Sequence, residues 1–299
     1  MDTLRRRLLA GTILALSIPG LSGAQIAVAV SSSAPAFEEA VGAFKTALGE
    51  HSALVSFIPL VSKEPSKSLM GGTRPRVAVA FGSRAFEALA ASDPAVPLLV
   101  TMVLSTDTEG RAKPQNLVST VSLSVSPASI LSKLKSAFPD RKRLAVLLGP
   151  GSSALRNELR PLALRLGYVL EIVECSGPRE VLEAFAALRG RVDFVWCLPD
   201  GNLFPSAAIP PIILASIRNQ LPVIGFSEGF VRAGAAVGFY PDYADIGVQT
   251  AETVKRYLAK QEISPVEGPR KIRIAVNDRV LRILAVARSN LPSEVVVIR

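Results

Sequence analysis

Histidine and cysteine are scarce in this chain, which has one histidine and two cysteines among 299 residues. A single histidine cannot form a histidine-rich metal site, and His51 lies in a polar stretch, GEHSA, that predicts a surface turn. A serine–histidine–acid triad built elsewhere in the chain is excluded for the same reason. We therefore predict a protein that is not an enzyme and that holds no metal and no cofactor.

The motifs of nucleotide-binding and hydrolytic enzymes are also missing. No loop carries the glycine pattern of a dinucleotide site, and GPGSSA at 149–154 lacks the lysine of a phosphate-binding loop. No Gly-x-Ser-x-Gly nucleophile elbow occurs. Carboxylates at strand ends could support acid–base chemistry, so a hydrolase or isomerase stays as an alternative without a motif of its own.

Beyond its first residues, the chain has no apolar run long enough to span a membrane. Residues 1–24 read MDTLRRRLLAGTILALSIPGLSGA, with three arginines, a short apolar run, and small residues after a Pro-Gly pair. This order is typical of a secretory signal peptide removed before Gln25, and it predicts a periplasmic protein. A membrane anchor and a buried helix are the alternatives. A lipid anchor is excluded, because no cysteine follows the run.

Positive charge is in excess, but it is dispersed. The formal net charge is +9, and the densest basic run is Arg141-Lys142-Arg143. No aromatic residues alternate with this run, as they would on many nucleic-acid-binding surfaces. We therefore expect a hydrated basic surface and no nucleic-acid partner, and we expect a monomer.

From Gln25 onward, short apolar strands alternate with amphipathic helices. RVAVAFGS at 76–83 predicts a buried strand, for example, and RAFEALAAS at 84–92 predicts the helix that follows. Strands that are apolar on both faces indicate a parallel sheet covered by helices on both sides. The serine-rich stretch 116–127 breaks the rhythm, which then restarts. The sequence thus predicts an α/β protein with two doubly wound parallel-sheet lobes.

The two cysteines can be placed within the second predicted sheet. Cys175 ends its second strand, and Cys197 lies on its third. In sheets of this kind the first strand commonly stands between those two, which would separate the sulfurs by about 10 Å, because neighbouring strands lie about 4.8 Å apart. A disulfide needs Cα atoms within about 7 Å. We predict two free, mostly buried cysteines.

Ligands of open α/β sheets bind beyond the carboxyl ends of the strands, so the loops there hold the candidate site. Six such loops are polar and rich in glycine or proline: 31–34, 81–84, 104–108, 149–153, 198–202 and 226–230. We predict polar contacts from Ser31, Ser83, Asp200 and Ser227, and apolar walls from Phe81 and Tyr240. The rest of the predicted ligand-binding set is Ser32, Gly82, Gly151, Ser152, Glu228 and Asp242. Helix capping is the alternative role for each serine.

The stretch AAVGFYPDYADIG, residues 235–247, combines small residues, aromatics and acids. It predicts an extended segment followed at once by a helix, with Asp242 as its N-cap. Ile246, Thr250, Val254 and Leu258 would form one face of this helix. Gly247 would allow its first turn to pack closely. Capping and ligand contact both stay open for Asp242.

LPVIGFSEGFVRAGAAVGFYPDYADIGVQTAETVKRYL, residues 221–258, resembles the late signature of the extracytoplasmic substrate-binding proteins of ABC transporters. It is most similar to the branch that includes binding proteins for tryptophan- or tyrosine-like ligands. The stretches AVLLGPGSS and VDFVWCLPDGNLF, and the tail from 271, resemble the middle and end of that family. The resemblance covers most of residues 75–299.

This resemblance implies a type I periplasmic-binding fold, in which two lobes are joined by three crossings and the ligand lies between them. The first lobe would comprise 25–122 plus 239–263, and the second 123–238 plus 264–299. The predicted function is capture of a small polar ligand, with amino acids as candidates, for an ABC permease in the inner membrane. The alternative is a sensor or envelope-assembly protein that keeps the fold without serving transport.

Overall fold

The computed structural model describes residues 25–58, 74–104, 114–287, 291 and 293–299. The predicted signal peptide and most of the loop at 104–108 lie outside the described residues. The described strands are β1 (Ile26–Val30), β2 (Val55–Ile58), β3 (Val77–Phe81), β4 (Leu98–Val103), β5 (Leu117–Ser122), β6 (Arg143–Leu148), β7 (Val169–Glu174), β8 (Phe194–Cys197), β9 (Val223–Gly225), β10 (Val237–Pro241), β11 (Val266–Glu267), β12 (Ile272–Asn277) and β13 (Val296–Ile298). The described α-helices are α1 (Pro35–Leu48), α2 (Ser83–Ala90), α3 (Pro127–Ala137), α4 (Arg156–Arg165), α5 (Pro178–Leu188), α6 (Ile209–Arg218), α7 (Glu228–Ala233), α8 (Tyr243–Leu258) and α9 (Asp278–Ile283).

The first lobe is a parallel sheet in the order β11-β5-β4-β3-β1-β2. Its strands are apolar on both faces because helices cover both. Along β3, Val77, Val79 and Phe81 join the core under α1 and α8, whereas Ala78 and Ala80 join the core under α2. The large side chains of β3 thus face α1 and α8, and its small side chains face α2.

The second lobe repeats this arrangement in the order β13-β12-β10-β9-β8-β6-β7. Residues of α3, α4 and α9 pack on one face and those of α5, α6 and α7 on the other. Every described strand pair is parallel except β10 with β12. The predicted fold class, two doubly wound sheets in two lobes, is confirmed.

The chain passes between the lobes three times: from β5 to α3, from β10 to α8, and from β11 to β12. The strand pairing shifts two predicted boundaries. Residues 239–241 belong to the second sheet, because β10 pairs with β12 as far as Pro241. Residues 266–267 belong to the first sheet, because β11 pairs with β5. A strand of two residues is too short to show a periodic pattern of apolar and polar residues in the sequence.

Cys175 and Cys197 are free and buried, as predicted. β6 stands between β7 and β8 in the sheet, so the cysteines lie on either side of it. Burial raises the pKa of Cys175 to about 11, and the charge of Glu180 adds to the rise. Both thiols therefore stay protonated at neutral pH and serve as small apolar groups in the core.

After the second crossing, α8 returns to the first lobe and packs along α1. Gly247 permits the close approach: a Cβ atom built there would lie 2.0 Å from the carbonyl oxygen of Ala40 and 3.0 Å from the amide nitrogen of Phe44. Ile246 and Val254 are buried in the same core as Phe44. The predicted face of this helix and the role of its glycine are both confirmed.

Gly247→Ala should lower the free energy of unfolding by about 3 kcal/mol or more, because the added methyl group collides with backbone atoms that cannot rotate away. Gly42→Ala is the matched control. Gly42 lies in α1, and a Cβ atom there would meet nothing within 4 Å. The control should gain about 0.5–1 kcal/mol from the higher helix propensity of alanine. Urea unfolding measures both, and equal stabilities for the two variants would contradict the packing described.

Candidate functional site

A cavity of about 80 Å³ lies where the two lobes meet. The first lobe contributes Leu104, just after β4, and the first crossing contributes Leu123, Ser124 and Val125. The second lobe contributes the carboxyl ends of β8 and β9 and the loop after β6. The cavity therefore occupies the edge that ligands of open α/β sheets use.

Aromatic side chains and short polar groups line different parts of this cavity. Trp196 and Phe226 come from the ends of β8 and β9; Trp196 is otherwise buried in the core of the second lobe, whereas Phe226 is half-buried. Phe226 is held in an aromatic cluster, with its ring centroid 4.8 Å from that of Phe230. Ser124, Gly151 and Ser152 supply hydroxyl and backbone groups. The surface thus suits a small molecule that is partly apolar and partly hydrogen-bonding.

Asp200 supports a loop that lines this cavity. Its carboxylate is buried and accepts hydrogen bonds from the Gly151 N–H at 3.0 Å and the Ser152 hydroxyl at 3.1 Å. Its other oxygen accepts from the Asn202 N–H at 2.9 Å. We predicted Asp200 as a ligand contact; in the structure it fixes the loop that carries Gly151 and Ser152.

Glu228 and Tyr240 form a pair beside the hinge. The Tyr240 hydroxyl donates to Glu228 at 3.2 Å, and Arg232 donates to the same carboxylate at 2.8 Å. Tyr240 is completely buried, and its burial, aided by the Glu228 charge, raises its pKa well above the usual range. Ser227 caps α7 by accepting from the Phe230 N–H. Tyr240 was expected to form an apolar wall; the structure places it beneath the surface instead.

Asp242 holds the second crossing. It caps α8 by accepting from the Asp245 N–H at 2.9 Å, as predicted, and it accepts from Arg273 at 2.9 Å. Arg273 also donates to Glu39 of α1 at 2.7 Å. Partial burial would raise the pKa of Asp242, but the Asp245 amide and the Arg273 guanidinium outweigh it and hold that pKa below its ordinary value. Arg273, on β12, thereby links the two lobes.

The first lobe's predicted residues are gathered around the start of α2. Ser31 accepts from the Ala85 N–H at 2.9 Å and so caps this helix, while Ser32 is exposed and accepts from the Ala34 N–H. A Cβ atom on Gly82 would lie 2.7 Å from the Ser31 hydroxyl oxygen.

Ser83, which begins α2, is exposed. Phe81 is corrected from wall to core: it is completely buried, and its ring meets that of Phe44 edge-on at 5.3 Å.

Of the twelve predicted residues, Gly151 and Ser152 line the cavity, and Asp200 supports them. The prediction did not include Trp196, Phe226 or the first crossing, which also line the cavity. The strand-end position of Trp196 and Phe226 was readable in the sequence, but the prediction chose Phe81 and Tyr240 as the apolar walls instead. In the described part of the chain, no three His, Cys, Asp or Glu residues are grouped to hold a metal ion.

A family model described as "ABC transporter substrate binding protein" matches residues 25–290. The chain belongs to this family. Comparison with curated protein sequences gives no match.

Solved structures similar to this member of the substrate-binding family have the same two-lobed fold. One is a substrate-binding protein with adhesive properties from Clostridium difficile in its ligand-free, open form, with a TM-score of 0.70, 21% identity, and coverage of 92% of this chain and 98% of that one. Another is an ABC domain from Streptococcus pneumonia in complex with L-Trp, with a TM-score of 0.62, 18% identity, and coverage of 91% and 100%. A third is a periplasmic ribose ABC transporter protein from Conexibacter woesei, with a TM-score of 0.55, 15% identity, and coverage of 88% and 94%.

Membership places this substrate-binding protein in a non-enzymatic class whose members bind small molecules and deliver them to ABC permeases. Proteins of the family generally work outside the cytoplasm. None of the helices in the described ranges combines the length and the hydropathy that a membrane span requires. The type I periplasmic-binding fold implied by the resemblance is confirmed.

Asp242→Ala should lower the free energy of unfolding by about 1–2 kcal/mol, because it removes the cap of α8. Asp242→Asn keeps one accepting oxygen for the cap and replaces the oxygen that accepts from Arg273 by an amide, so it loses that ion pair and should cost less, about 0.2–1 kcal/mol. Thermal melting at neutral pH measures both losses. Equal losses would contradict the assignment of separate capping and charge roles.

The charge role also predicts a pH dependence. The pKa of Asp242 is lowered by folding, so its charge stabilises the protein above the unfolded pKa of about 3.9, and this contribution is lost as pH falls through the folded value. The stability gap between wild type and Asp242→Asn should therefore narrow in acid. A gap that stays constant from neutral pH to below about pH 3 would count against the ion pair.

Proposed function

We propose that this protein is exported by a signal peptide that is removed before Gln25. It then captures a small polar ligand between its lobes as a periplasmic monomer and delivers the ligand to an ABC importer in the inner membrane. The observation that carries the proposal is the cavity at the hinge, to which both lobes and the first crossing contribute. A molecule held there touches both lobes, so its binding energy favours their closure.

Amino acids with an aromatic or large apolar side chain are the first ligands to test. Trp196 and Phe226 offer apolar contact, while Ser124, Ser152 and the Gly151 backbone offer hydrogen bonds. A solved structure with the same fold carries L-Trp, which supports this choice. Because ligand pockets usually measure about 300–1,000 Å³, the cavity of about 80 Å³ must widen by hinge opening before such a ligand can enter.

Trp196 supplies a direct readout, since it is the protein's single tryptophan and lines the cavity. Titration with a panel of amino acids and sugars should change its fluorescence for the true ligand, with matching heat in calorimetry.

Phe226→Ala should weaken binding about tenfold through lost aromatic contact. Phe57→Ala is the control, because Phe57 is exposed on β2, away from the cavity.

The possible outcomes separate the functions. Ligand binding that stimulates the ATPase of a reconstituted permease supports transport. Binding without such stimulation favours the sensor or assembly role. Absence of heat, fluorescence change and thermal shift across the whole panel would overturn the proposal.

A further inference from the structure

The amino ends of the first sheet border a second concavity, an open groove of about 990 Å³. Gln25, Leu54 and Arg76 line it and immediately precede β1, β2 and β3. The last turns of α8 form another wall. The groove shares no lining residue with the cavity between the lobes, so it is a separate site.

Positive charge dominates the groove. Its lining includes four permanent cations, Arg76, Lys255, Arg256 and Arg270, with His51 beside them. It includes two carboxylates, and each already has an arginine partner. Glu252 accepts from Arg270 at 2.7 Å, and Glu267 accepts from Arg256 at 2.6 Å. Two positive charges are left over.

Those two charges belong to Arg76 and Lys255, which have no carboxylate partner among the residues the structure describes. Arg76 donates to the Gln25 side-chain oxygen at 3.2 Å and to the Leu258 carbonyl at 2.9 Å. Lys255 donates to the Ala47 carbonyl at 3.0 Å. These acceptors carry no formal charge, and the two carbonyls lie at the C-terminal ends of α8 and α1, where the helix dipole offsets only part of each cation's charge. In addition, the Arg256 Nε–H is buried and lacks a hydrogen-bond partner in the described part of the chain.

The shape of the surface indicates an extended occupant. A neighbouring groove of about 600 Å³ shares Arg76 and Gln261 with the first and adds Lys260 and Tyr257. Together they make a concave path longer than a single phosphate or carboxylate would need. A flat bilayer surface cannot follow a concave path, whereas an extended peptide can. The side-chain amides of Gln25 and Gln261 line it and can donate to such a peptide.

We propose that this groove, named here the basic groove and defined by Arg76, Lys255, Arg256 and Arg270, binds an extended acidic segment of a partner protein. Carboxylates of the segment meet Arg76 and Lys255, whose charges are otherwise unmatched. The ion pairs of Arg256 and Arg270 hold the walls in place. The partner is recognised at an edge of the lobe that plays no part in ligand capture.

Fluorescence anisotropy with a fluorescein-labelled polyglutamate peptide tests the proposal. Wild type should bind, and the double variant Arg76→Gln/Lys255→Gln should bind at least about tenfold more weakly. The matched control, Arg160→Gln/Arg165→Gln, removes the same charge from exposed positions on α4 of the second lobe and should bind as wild type does. Equal loss in both double variants would mean diffuse attraction and would overturn the proposal.

Two further measurements distinguish a loss of peptide binding from a loss of folding. The charge-preserving variant Arg76→Lys/Lys255→Arg should retain most of the binding; its loss would overturn the role of charge. Ligand-induced fluorescence of Trp196 should be the same in all variants, so failure here is distinguishable from failure of the transport proposal. Binding to phosphatidylglycerol vesicles but not to the peptide would assign the surface to lipid and would also overturn the proposal.

Discussion

The position of the two lobes depends on the ion pair between Arg273 and Asp242, at the point where the chain returns to the first lobe. Asp242 ends the second crossing, caps α8 and accepts a hydrogen bond from Arg273, which lies on β12 in the second lobe. The same guanidinium reaches Glu39 on α1. Because one arginine of the second lobe contacts Asp242 at the start of α8 and Glu39 on α1, the same ion pairs fix the start of α8 and tie the second lobe to the first.

The acidic residues near the cleft all have hydrogen-bond partners within the protein. Asp200, Glu228 and Asp242 each accept hydrogen bonds from the protein itself. Loops at strand ends leave backbone N–H groups unpaired, and a nearby carboxylate stabilises them most strongly. Polar residues at such an edge therefore serve the structure itself, independently of ligand binding. In the proposed site, the groups free to meet a ligand are hydroxyls, backbone groups and two aromatic rings.

The sequence predicted the fold well because its signals are local and periodic. Buried apolar strands separated by amphipathic helices required a parallel sheet covered on both faces, and the usual strand order then separated Cys175 from Cys197. Gly247 was predicted to let the first turn of α8 pack closely, because glycine has no Cβ atom. The two-residue strand β11 has no periodicity, so its membership of the first sheet depends on tertiary contacts that the sequence does not display.

The site was harder to predict than the fold for a physical reason. Phe81 and Phe226 both stand at strand ends, yet Phe81 is sealed beneath α1 while Phe226 lines the cavity. Which way each ring points depends on the face of its strand and on the loops packed above it. Composition alone assigns the same role to both.

Helix α8 extends from the hinge to the basic groove. It begins with Tyr243 and is about 24 Å long at about 1.5 Å per residue, and its residues from Glu252 onward include those that line the groove. Its close contact with α1 at Gly247 makes the two helices one rigid unit. A rotation of the lobes about the crossings would therefore carry these helices with the first lobe, whereas Arg270 of the basic groove lies in the third crossing. A partner bound to the proposed groove would contact both the first lobe and one of the three crossings.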